Sequence, residues 1–573
     1  MNKNSTVKKV IDFRRGPDVY YERAHKFLDD GDYFSALDSL RLAINADPAE
    51  PEYRLILGEI FCEMELFDHA CNEFFRLLAE GKCELECCYH LTQIFMEDEN
   101  PEAAAYYLKR TYAARKDVEK LVKDTQTEDE EDVEQLYDLL DTLEENAKEL
   151  ERPRFSVAYD KRENCRNMVG AAVSLMRRGE FDPALKILNS VPETADCYSD
   201  ALNNIALCEY SRKKYKKAWE IVQKAAGVDE ENIFTMCNAL LTACKLKDKE
   251  AVNAALSRLD SVNYDNISEN ELYRIAMTMC EMSEHARAGR CFELLLEGVF
   301  DTEIMIMAAI AFYNCGQADK ARRIILDALR IDPGDAVAQW YAGRFQKPKT
   351  SRALDYTTQI QHSEGRKRMM YLSALCKLPR EAFLAATEQL PANAKTIECI
   401  RWAMAGENTA CILKLFTMLS GTPFGEEFAE TLFLDRRVMA LLKKYILQEY
   451  LARRRSGRVN IVVNDIFKTV RFTLPASTPG LSAVFRAAYI DAFTTLTLMS
   501  EGFEARLLSV FKNFLKAAAP LNGKLTNERA LAAALSYQYG ELKIFRDKAV
   551  LCGIYNVKMT TLRTYLKLLG ISK

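Results

Sequence analysis

The stretch YYERAHKFLDDGDYFSALDSLRLAINADP, residues 20–48, decides the fold class of this 573-residue chain. Ala24 lies in a first helical segment, and Gly31 marks the turn that follows it. Ala36 begins the apolar face of a second helical segment, which ends before Pro48. The stretch therefore predicts two antiparallel helices that pack closely where the small residues Ala24 and Ala36 face each other.

The same pattern returns at a spacing of 34 residues, which predicts a repeat architecture. The recurring positions are small, aliphatic, aromatic or proline residues: Gly58, Phe61, Phe67, Ala70 and Phe74; Ala172, Leu175, Gly179, Phe181, Ala184 and Leu188; Ala206, Tyr215, Ala218, Val222 and Ala225; Ala239 and Ala251; Ala276, Ala288 and Phe292; Ala309, Phe312, Gly316, Ala321, Ile325, Ala328 and Pro333. A single helix pair cannot bury both of its faces, so the units are expected to stack. The pattern resembles the tetratricopeptide repeat family, a resemblance that implies an α-solenoid binding protein or peptide partners.

We expect a mainly α protein: an α-solenoid of tetratricopeptide-like helix pairs, followed by a basic helical C-terminal domain with one β-hairpin. The predicted segments are an N-terminal extension (1–17), a first array (18–116), an acidic linker helix (117–159), a second array (160–346), degenerate helical repeats or a cap (347–435), and the basic C-terminal domain (436–573). The linker helix is indicated by apolar residues spaced three and four apart from Val133 to Leu150.

The charge of the chain is distributed unevenly. Residues 436–573 carry 23 Lys and Arg against 8 Asp and Glu, a balance of +15, whereas the remainder carries −20 and the whole chain −5. This asymmetry indicates either different partners for the two parts or attraction between them.

The sequence carries no pattern typical of an enzyme, and we expect neither catalysis nor a cofactor. It has no phosphate-binding glycine loop, no nucleophile elbow and no zinc-protease helix. The group Cys83, Cys87, Cys88 and His90 has a spacing that a metal could use, but small cysteines also suit close helix packing, so we expect no metal site. No apolar run approaches a membrane span, and the N-terminus lacks a secretion signal, which predicts a cytoplasmic protein.

The partner of the arrays is left open by the sequence. Tetratricopeptide domains that bind chaperone tails hold a terminal carboxylate with a Lys, Asn and Arg set. At the matching positions of the first array this chain has Tyr21, His25 and Ile56. The departure argues against a chaperone tail and leaves a peptide, a helix or a partner domain as alternatives.

Strand-like sequence is concentrated near residues 459–475. The segments VNIVV and IFKTVRFTLP are rich in β-branched and aromatic residues, and the Asn-Asp pair between them predicts the turn of a β-hairpin. Four arginines precede it on a loop that contains a glycine: Arg453, Arg454, Arg455 and Arg458. Guanidinium groups on such a loop suit contacts with phosphates, although a solubilising loop would have the same composition.

Helices are predicted at 479–499, 502–519 and 526–541, the last with Thr526 as its N-cap. The final stretch YNVKMTTLRTYLKLLG, residues 555–570, resembles the turn and second helix of a helix-turn-helix. Asn556 stands where that family usually has glycine in a left-handed turn, and Val557 and Leu562 match its buried positions. The resemblance implies a nucleic-acid-binding surface formed by Lys558, Thr560, Thr561, Arg563 and Lys567.

Two functions follow from these patterns, and an uncharacterised enzyme in residues 436–573 is a third alternative that no motif supports. In the first, the protein is a non-enzymatic adaptor that binds protein through its arrays and DNA or RNA through its basic C-terminal domain. In the second, it is a protein-only scaffold whose basic domain docks on the acidic array or on an acidic partner, and the final helix is a packing helix.

Overall fold

A computed structural model describes residues 16–125, 161–347, 353–388, 394–404, 409–475 and 483–571. The predicted linker stripe from Val133 to Leu150 lies outside these residues. The described residues form two compact units, which divide at residues 150 and 366. Glu151–Gly365 forms one unit, and the residues before and after it form the other.

The helices before residue 366 form the two arrays. They are α1 Pro17–Asp29, α2 Tyr33–Ala46, α3 Glu52–Glu63, α4 Phe67–Glu80, α5 Glu84–Glu97, α6 Pro101–Thr125, α7 Lys161–Arg177, α8 Phe181–Leu188, α9 Tyr198–Ser211, α10 Tyr215–Val228, α11 Ile233–Leu246, α12 Lys249–Asp260, α13 Glu269–Glu281, α14 His285–Leu295, α15 Thr302–Asn314, α16 Ala318–Ile331 and α17 Ala336–Phe345.

The remaining elements follow in chain order. They are α18 His362–Leu375, α19 Arg380–Glu388, α20 Ala394–Met404, α21 Thr409–Leu419, α22 Pro423–Leu434, α23 Ala440–Ala452, β1 Ser456–Val463, β2 Ile466–Thr473, α24 Ala483–Met499, α25 Glu504–Ala518, α26 Glu528–Tyr539, α27 Lys548–Tyr555 and α28 Met559–Leu568. The predicted fold class, a tetratricopeptide-like solenoid followed by a helical segment with one hairpin, is confirmed.

Small residues at the predicted positions hold the helix pairs of the first array together. Ala24 and Ala36 have no exposed surface. In the next pair Gly58 takes the place of Ala24, and a Cβ atom there would lie 2.5 Å from the Phe74 ring. This contact explains why glycine rather than alanine occupies that position in the second unit.

The second array follows the same rule. Ala206 and Ala218 are buried where α9 packs against α10, as the repeat predicts. In the following pair the prediction of Ala239 and Ala251 is wrong, because both are only half-buried. Ala243 on α11 and Ala255 on α12 are buried instead, four positions further along each helix, which is about one turn.

One hydrophobic core extends from Leu372 to Leu569. It joins the helices expected to form a cap to those of the basic segment, so the core continues across the predicted boundary at residue 436. Helix α26 lies in its middle, with Ala530, Leu531 and Leu535 fully buried. This helix is capped by Asn527, whose side chain accepts from the backbone of Ala530, so the predicted cap is off by one position.

The predicted hairpin is confirmed as an antiparallel pair of β1 and β2. Asn464 and Asp465 both have positive φ, 49° and 65°, as a two-residue type I′ turn requires. One face, with Ile461 and Val463, joins the hydrophobic core.

Candidate basic surface and the contacts that position it

Three of the four predicted loop arginines lie between α23 and β1, whereas Arg458 lies in β1. The four side chains separate into two roles. Arg453 donates to the Ser420 hydroxyl at 3.0 Å, and Arg454 pairs with Glu426 at 3.2 Å. Arg454 also stacks on the Tyr450 ring at 3.5 Å. These two side chains therefore already have partners within the fold.

Arg455 and Arg458 are exposed and make no side-chain hydrogen bond or ion pair among the described residues. Arg458 lies directly across the hairpin from Arg471, which is likewise exposed. Like charges in that position repel each other, and an anion would relieve the repulsion. Arg458 also lines a cleft of about 350 Å³ that contains Glu80 and Glu430, so the field there is mixed.

The last two helices meet through a left-handed turn at Asn556, φ 50°, which confirms the prediction for that residue. Leu562 is fully buried, as predicted, whereas Val557 is only half-buried. Tyr565 fixes α28 against the start of α26, because its hydroxyl accepts from the backbone N–H groups of Thr526 and Asn527 at 3.1 and 2.8 Å.

The predicted nucleic-acid residues of α28 are mostly on its outer face. Lys558, Thr560, Arg563 and Lys567 are exposed, whereas Thr561 is half-buried. Thr560, Arg563 and Lys567 follow the three- and four-residue spacing that puts side chains on one helix face. From Lys548 to the C-terminus the sequence has five basic and no acidic residues. The outer face therefore carries positive charge only.

The two basic groups are separate in the contact pattern. No hydrogen bond or ion pair within the described part of the chain joins the arginine loop to α28. We therefore treat them as two clusters. The loop cluster consists of Arg455, Arg458 and Arg471, and the helix cluster consists of Lys558, Arg563 and Lys567.

Sequence reasoning missed a cation that holds the hairpin on the first array. Arg436 lies 2.8 Å from the Asp98 carboxylate, 3.1 Å from that of Asp465 and 3.4 Å from that of Asp68. Its guanidinium also lies 5.1 Å from the centre of the Phe95 ring. One arginine thus joins three carboxylates, two from the array and one from the hairpin turn.

Tyr107 of α6 hydrogen-bonds to the same turn. Its hydroxyl donates to the Asp465 carbonyl at 2.7 Å and accepts from the Phe467 backbone N–H at 2.8 Å. Asn100 adds a bond of 2.9 Å to the Asp465 carboxylate, and the Phe467 ring stacks against Phe75. The first array therefore contacts both the backbone and the side chains of the hairpin turn.

A buried lysine lies beside this contact. Lys443 donates to the Val462 carbonyl at 2.6 Å and has almost no exposed surface. Burial lowers the pKa of Lys443 to about 8, although Asp435 and Asp465 oppose that shift. An amine whose pKa is lowered to about 8 is therefore buried beside the hairpin turn.

The first array is strongly acidic. Residues 18–116 hold 10 Lys and Arg against 21 Asp and Glu. The Tyr21 hydroxyl donates to the Glu52 carboxylate at 2.6 Å. The pKa of Tyr21 is raised mainly by burial and secondly by this hydrogen bond. His25 packs edge-on against the Tyr21 ring. The positions compared with a carboxylate clamp thus present an aromatic and acidic surface.

The cysteines near His90 show the packing role. Burial raises the pKa of the Cys87 thiol, and the His90 ring stacks on Phe74 with its Nε2 atom 3.1 Å from the Glu59 carboxylate. Over the described residues, no group of three or more His, Cys, Asp or Glu is arranged to hold a metal ion. Among those residues, no helix has the length and apolarity needed to cross a bilayer.

Sequence reasoning also missed a polar ladder in the second array. Asn203, Asn238 and Arg274 occupy α9, α11 and α13 at spacings of 35 and 36 residues. Asn238 Nδ2 donates to Asn203 Oδ1 at 3.0 Å, and Arg274 donates to Asn238 Oδ1 at 2.7 Å. The recurrence of asparagine at nearly the repeat length is the signal that could have identified it.

A scan against protein-family models and a search of curated proteins gave no match. Among solved structures the chain is similar to the TPR domain of P58(IPK), with 15% identity, 58% of this chain and 97% of that chain covered, and a TM-score of 0.20. It is also similar to a tetratricopeptide repeat protein from Parabacteroides merdae ATCC 43184, with 12% identity, 58% and 99% covered, and a TM-score of 0.19.

A third similar structure is the APC/C hetero-tetramer Cut9-Hcn1, with 13% identity, 97% and 96% covered, and a TM-score of 0.23. These low identities and TM-scores support no functional argument.

Proposed function

We propose that the protein is a non-enzymatic adaptor that binds protein or peptide partners through its repeat arrays and nucleic acid through its basic C-terminal segment. Stacked helix pairs offer long surfaces of the kind that bind other proteins. The observation that supports nucleic acid is that the six cations of the loop and helix clusters are exposed and free of acidic partners among the described residues. Arg458 and Arg471 of the hairpin are exposed although its turn contacts the first array.

The two clusters suit different parts of a nucleic acid. Guanidinium groups bind phosphates through paired hydrogen bonds, so the loop cluster would contact the backbone regardless of sequence. The helix cluster lies on the outer face of the second helix of a helix-turn-helix-like pair, the element that enters the major groove in proteins of that kind.

Salt dependence tests this assignment and counts the contacts. The full chain is titrated with a 30-base-pair DNA duplex and with single-stranded RNA of the same length, at 50 and 200 mM salt. Six phosphate contacts on a duplex should weaken binding by about 10³-fold over that range, and three contacts by about 40-fold. Absence of binding to either probe at 50 mM salt would overturn the nucleic-acid proposal.

Paired variants separate the clusters. Arg455→Ala with Arg458→Ala removes two loop cations, and Arg563→Ala with Lys567→Ala removes two helix cations. Each pair of substitutions should lower the affinity for nucleic acid without changing the melting temperature. The slope of log affinity against log salt concentration should fall by the amount expected for about two lost phosphate contacts. The matched control removes two exposed lysines of the second array, which should leave binding unchanged.

The control pair is Lys216→Ala with Lys249→Ala. If it weakens binding as much as the cluster variants do, the effect is one of net charge and the clusters are not the site.

A protein-only scaffold is the second candidate, and the Arg436 contacts favour it. Arg436 belongs to the basic segment and pairs with Asp68 and Asp98 of the first array, which supports this candidate. In this case a strongly acidic peptide should bind the two clusters at 50 mM salt while both nucleic-acid probes fail to do so.

A further inference from the structure

Residues 353–361, ALDYTTQIQ, form an irregular segment that lies on the second array without adding a helix to it. We call it the strap. It follows α17 in the chain, and its contacts with the array come from Cys280, His285, Asn314 and Tyr341. These four residues belong to α13, α14, α15 and α17. The strap thus lies across several repeat units, as a bound peptide would.

The Asn314 side chain binds the backbone of the strap. Its Nδ2 atom donates to the Leu354 carbonyl at 2.9 Å, and its Oδ1 atom accepts from the Leu354 N–H at 2.8 Å. Both hydrogen-bonding groups of one peptide residue are satisfied by one side-chain amide. Such a clamp recognises an extended backbone and leaves the identity of that residue open.

The residue two positions later supplies the specificity. The Tyr356 hydroxyl lies 2.9 Å from His285 Nδ1, and its ring packs against the core around α13 and α14. Burial raises the pKa of Tyr356, and the phenol also bonds with the Cys280 thiol. The array therefore offers a clamp for the backbone of Leu354, followed by a site where the tyrosine ring is partly buried and its hydroxyl is hydrogen-bonded.

The other end of the strap is held by the array and by its own contacts. Ile360 is buried, and Gln361 Nε2 donates to the Tyr341 hydroxyl at 2.9 Å. Tyr341 donates to the Gln359 carbonyl at 3.1 Å, again a backbone contact. Gln361 bonds to both backbone groups of Asp355, at 3.1 and 2.8 Å, and so closes the strap into a loop. The side chains of Asp355 and Gln359 are exposed.

We propose that the strap occupies a peptide-binding site of the second array, and that a partner segment with a tyrosine two residues after the clamped position takes the same site in its place. This deepens the proposed function, since it names one surface by which the arrays bind peptides. The strap acts as a built-in competitor, because a tethered segment has an effective concentration on the order of millimolar.

The test compares strap-filled and strap-emptied forms of the full chain. The probe is a fluorescent, end-blocked ALDYTTQIQ peptide. Tyr356→Ala removes the tyrosine side chain by which the strap contacts His285, so the probe should bind this variant at least about tenfold more tightly than wild type. Adding Asn314→Ala to Tyr356→Ala should abolish that gain. A probe with alanine in place of its tyrosine should bind neither form.

Gln359→Ala is the matched control, because it changes an exposed side chain of the strap whose contact with the array is through the backbone. It should bind the probe as weakly as wild type does. Equal affinity of the probe for wild type and Tyr356→Ala would overturn the proposal.

A second measurement needs no variant. Excess probe added to wild type should accelerate hydrogen exchange of the Leu354 amide, which loses its bond to Asn314 when the strap leaves. Unchanged exchange at saturating probe would also overturn the proposal. A negative result would leave the nucleic-acid proposal unchanged, because that proposal concerns other residues. It would also leave open protein binding by other surfaces of the arrays, which is tested with intact protein partners.

Discussion

Replacing Arg436 with alanine should loosen the hairpin from the first array while leaving both folded. The variant Arg436→Ala leaves the carboxylates of Asp68, Asp98 and Asp465 close together with no cation between them. It also removes the guanidinium that lies over the Phe95 ring. The contact is local, so its loss should appear first as faster opening of the hairpin.

The magnitude follows from burial. Breaking a buried ion pair costs about 3–5 kcal/mol, and an exposed one contributes about 0–1 kcal/mol. The arginine side chain is 15% exposed, and the carboxylates of Asp68, Asp98 and Asp465 are 45%, 30% and 22% exposed. This intermediate burial places the expected loss at about 2–3 kcal/mol.

Hydrogen exchange of the Phe467 amide is a direct assay, because that N–H donates to Tyr107 only while the hairpin is docked. A loss of about 2–3 kcal/mol corresponds to exchange about 30- to 150-fold faster. Arg437→Ala is the matched control, since its neighbouring guanidinium is 48% exposed and pairs with Asp435. Similar exchange in the two variants would refute the assignment of Arg436 as the joining residue.

Three other predictions test the repeat register, the buried amine and the final turn. Ala218→Leu should cost about 1–3 kcal/mol, because Ala218 has no exposed surface, whereas Lys213→Ala on the exposed turn should stay within about 0.5 kcal/mol; superimposable thermal melts would show the register to be wrong. The pKa of Lys443 is lowered from 10.5 to about 8, so the unfolded chain binds that proton more tightly. Wild type should therefore gain up to about 3 kcal/mol over Lys443→Met as pH rises from 8 to 10.5, measured by urea unfolding, and a pH-independent difference would contradict the burial argument. Asn556→Ala should cost about 1 kcal/mol and Asn556→Gly should cost nothing, because φ is positive there; equal melting temperatures would contradict the strained turn.

Local patterns determined much of this protein in advance. The 34-residue recurrence of small residues such as Ala24 and Ala218 predicted the helix pairs, because close helix packing imposes itself at fixed positions of each unit. The Asn-Asp pair predicted the hairpin turn, and Asn556 the left-handed turn, because few residues tolerate positive φ. Counting charges along the sequence identified the basic segment, because composition does not depend on the fold.

The tertiary structure alone decided which of those residues have partners. Arg453 and Arg455 are equivalent in sequence, yet one bonds to Ser420 and the other faces water. Arg436 and Asp98 are 338 positions apart, and the strap meets Asn314 through its backbone, which carries no sequence signal. Contacts of this kind join chain segments that only folding brings together. The periodicity of the sequence predicts which side chains share a helix face, but it does not predict which segment packs against that face.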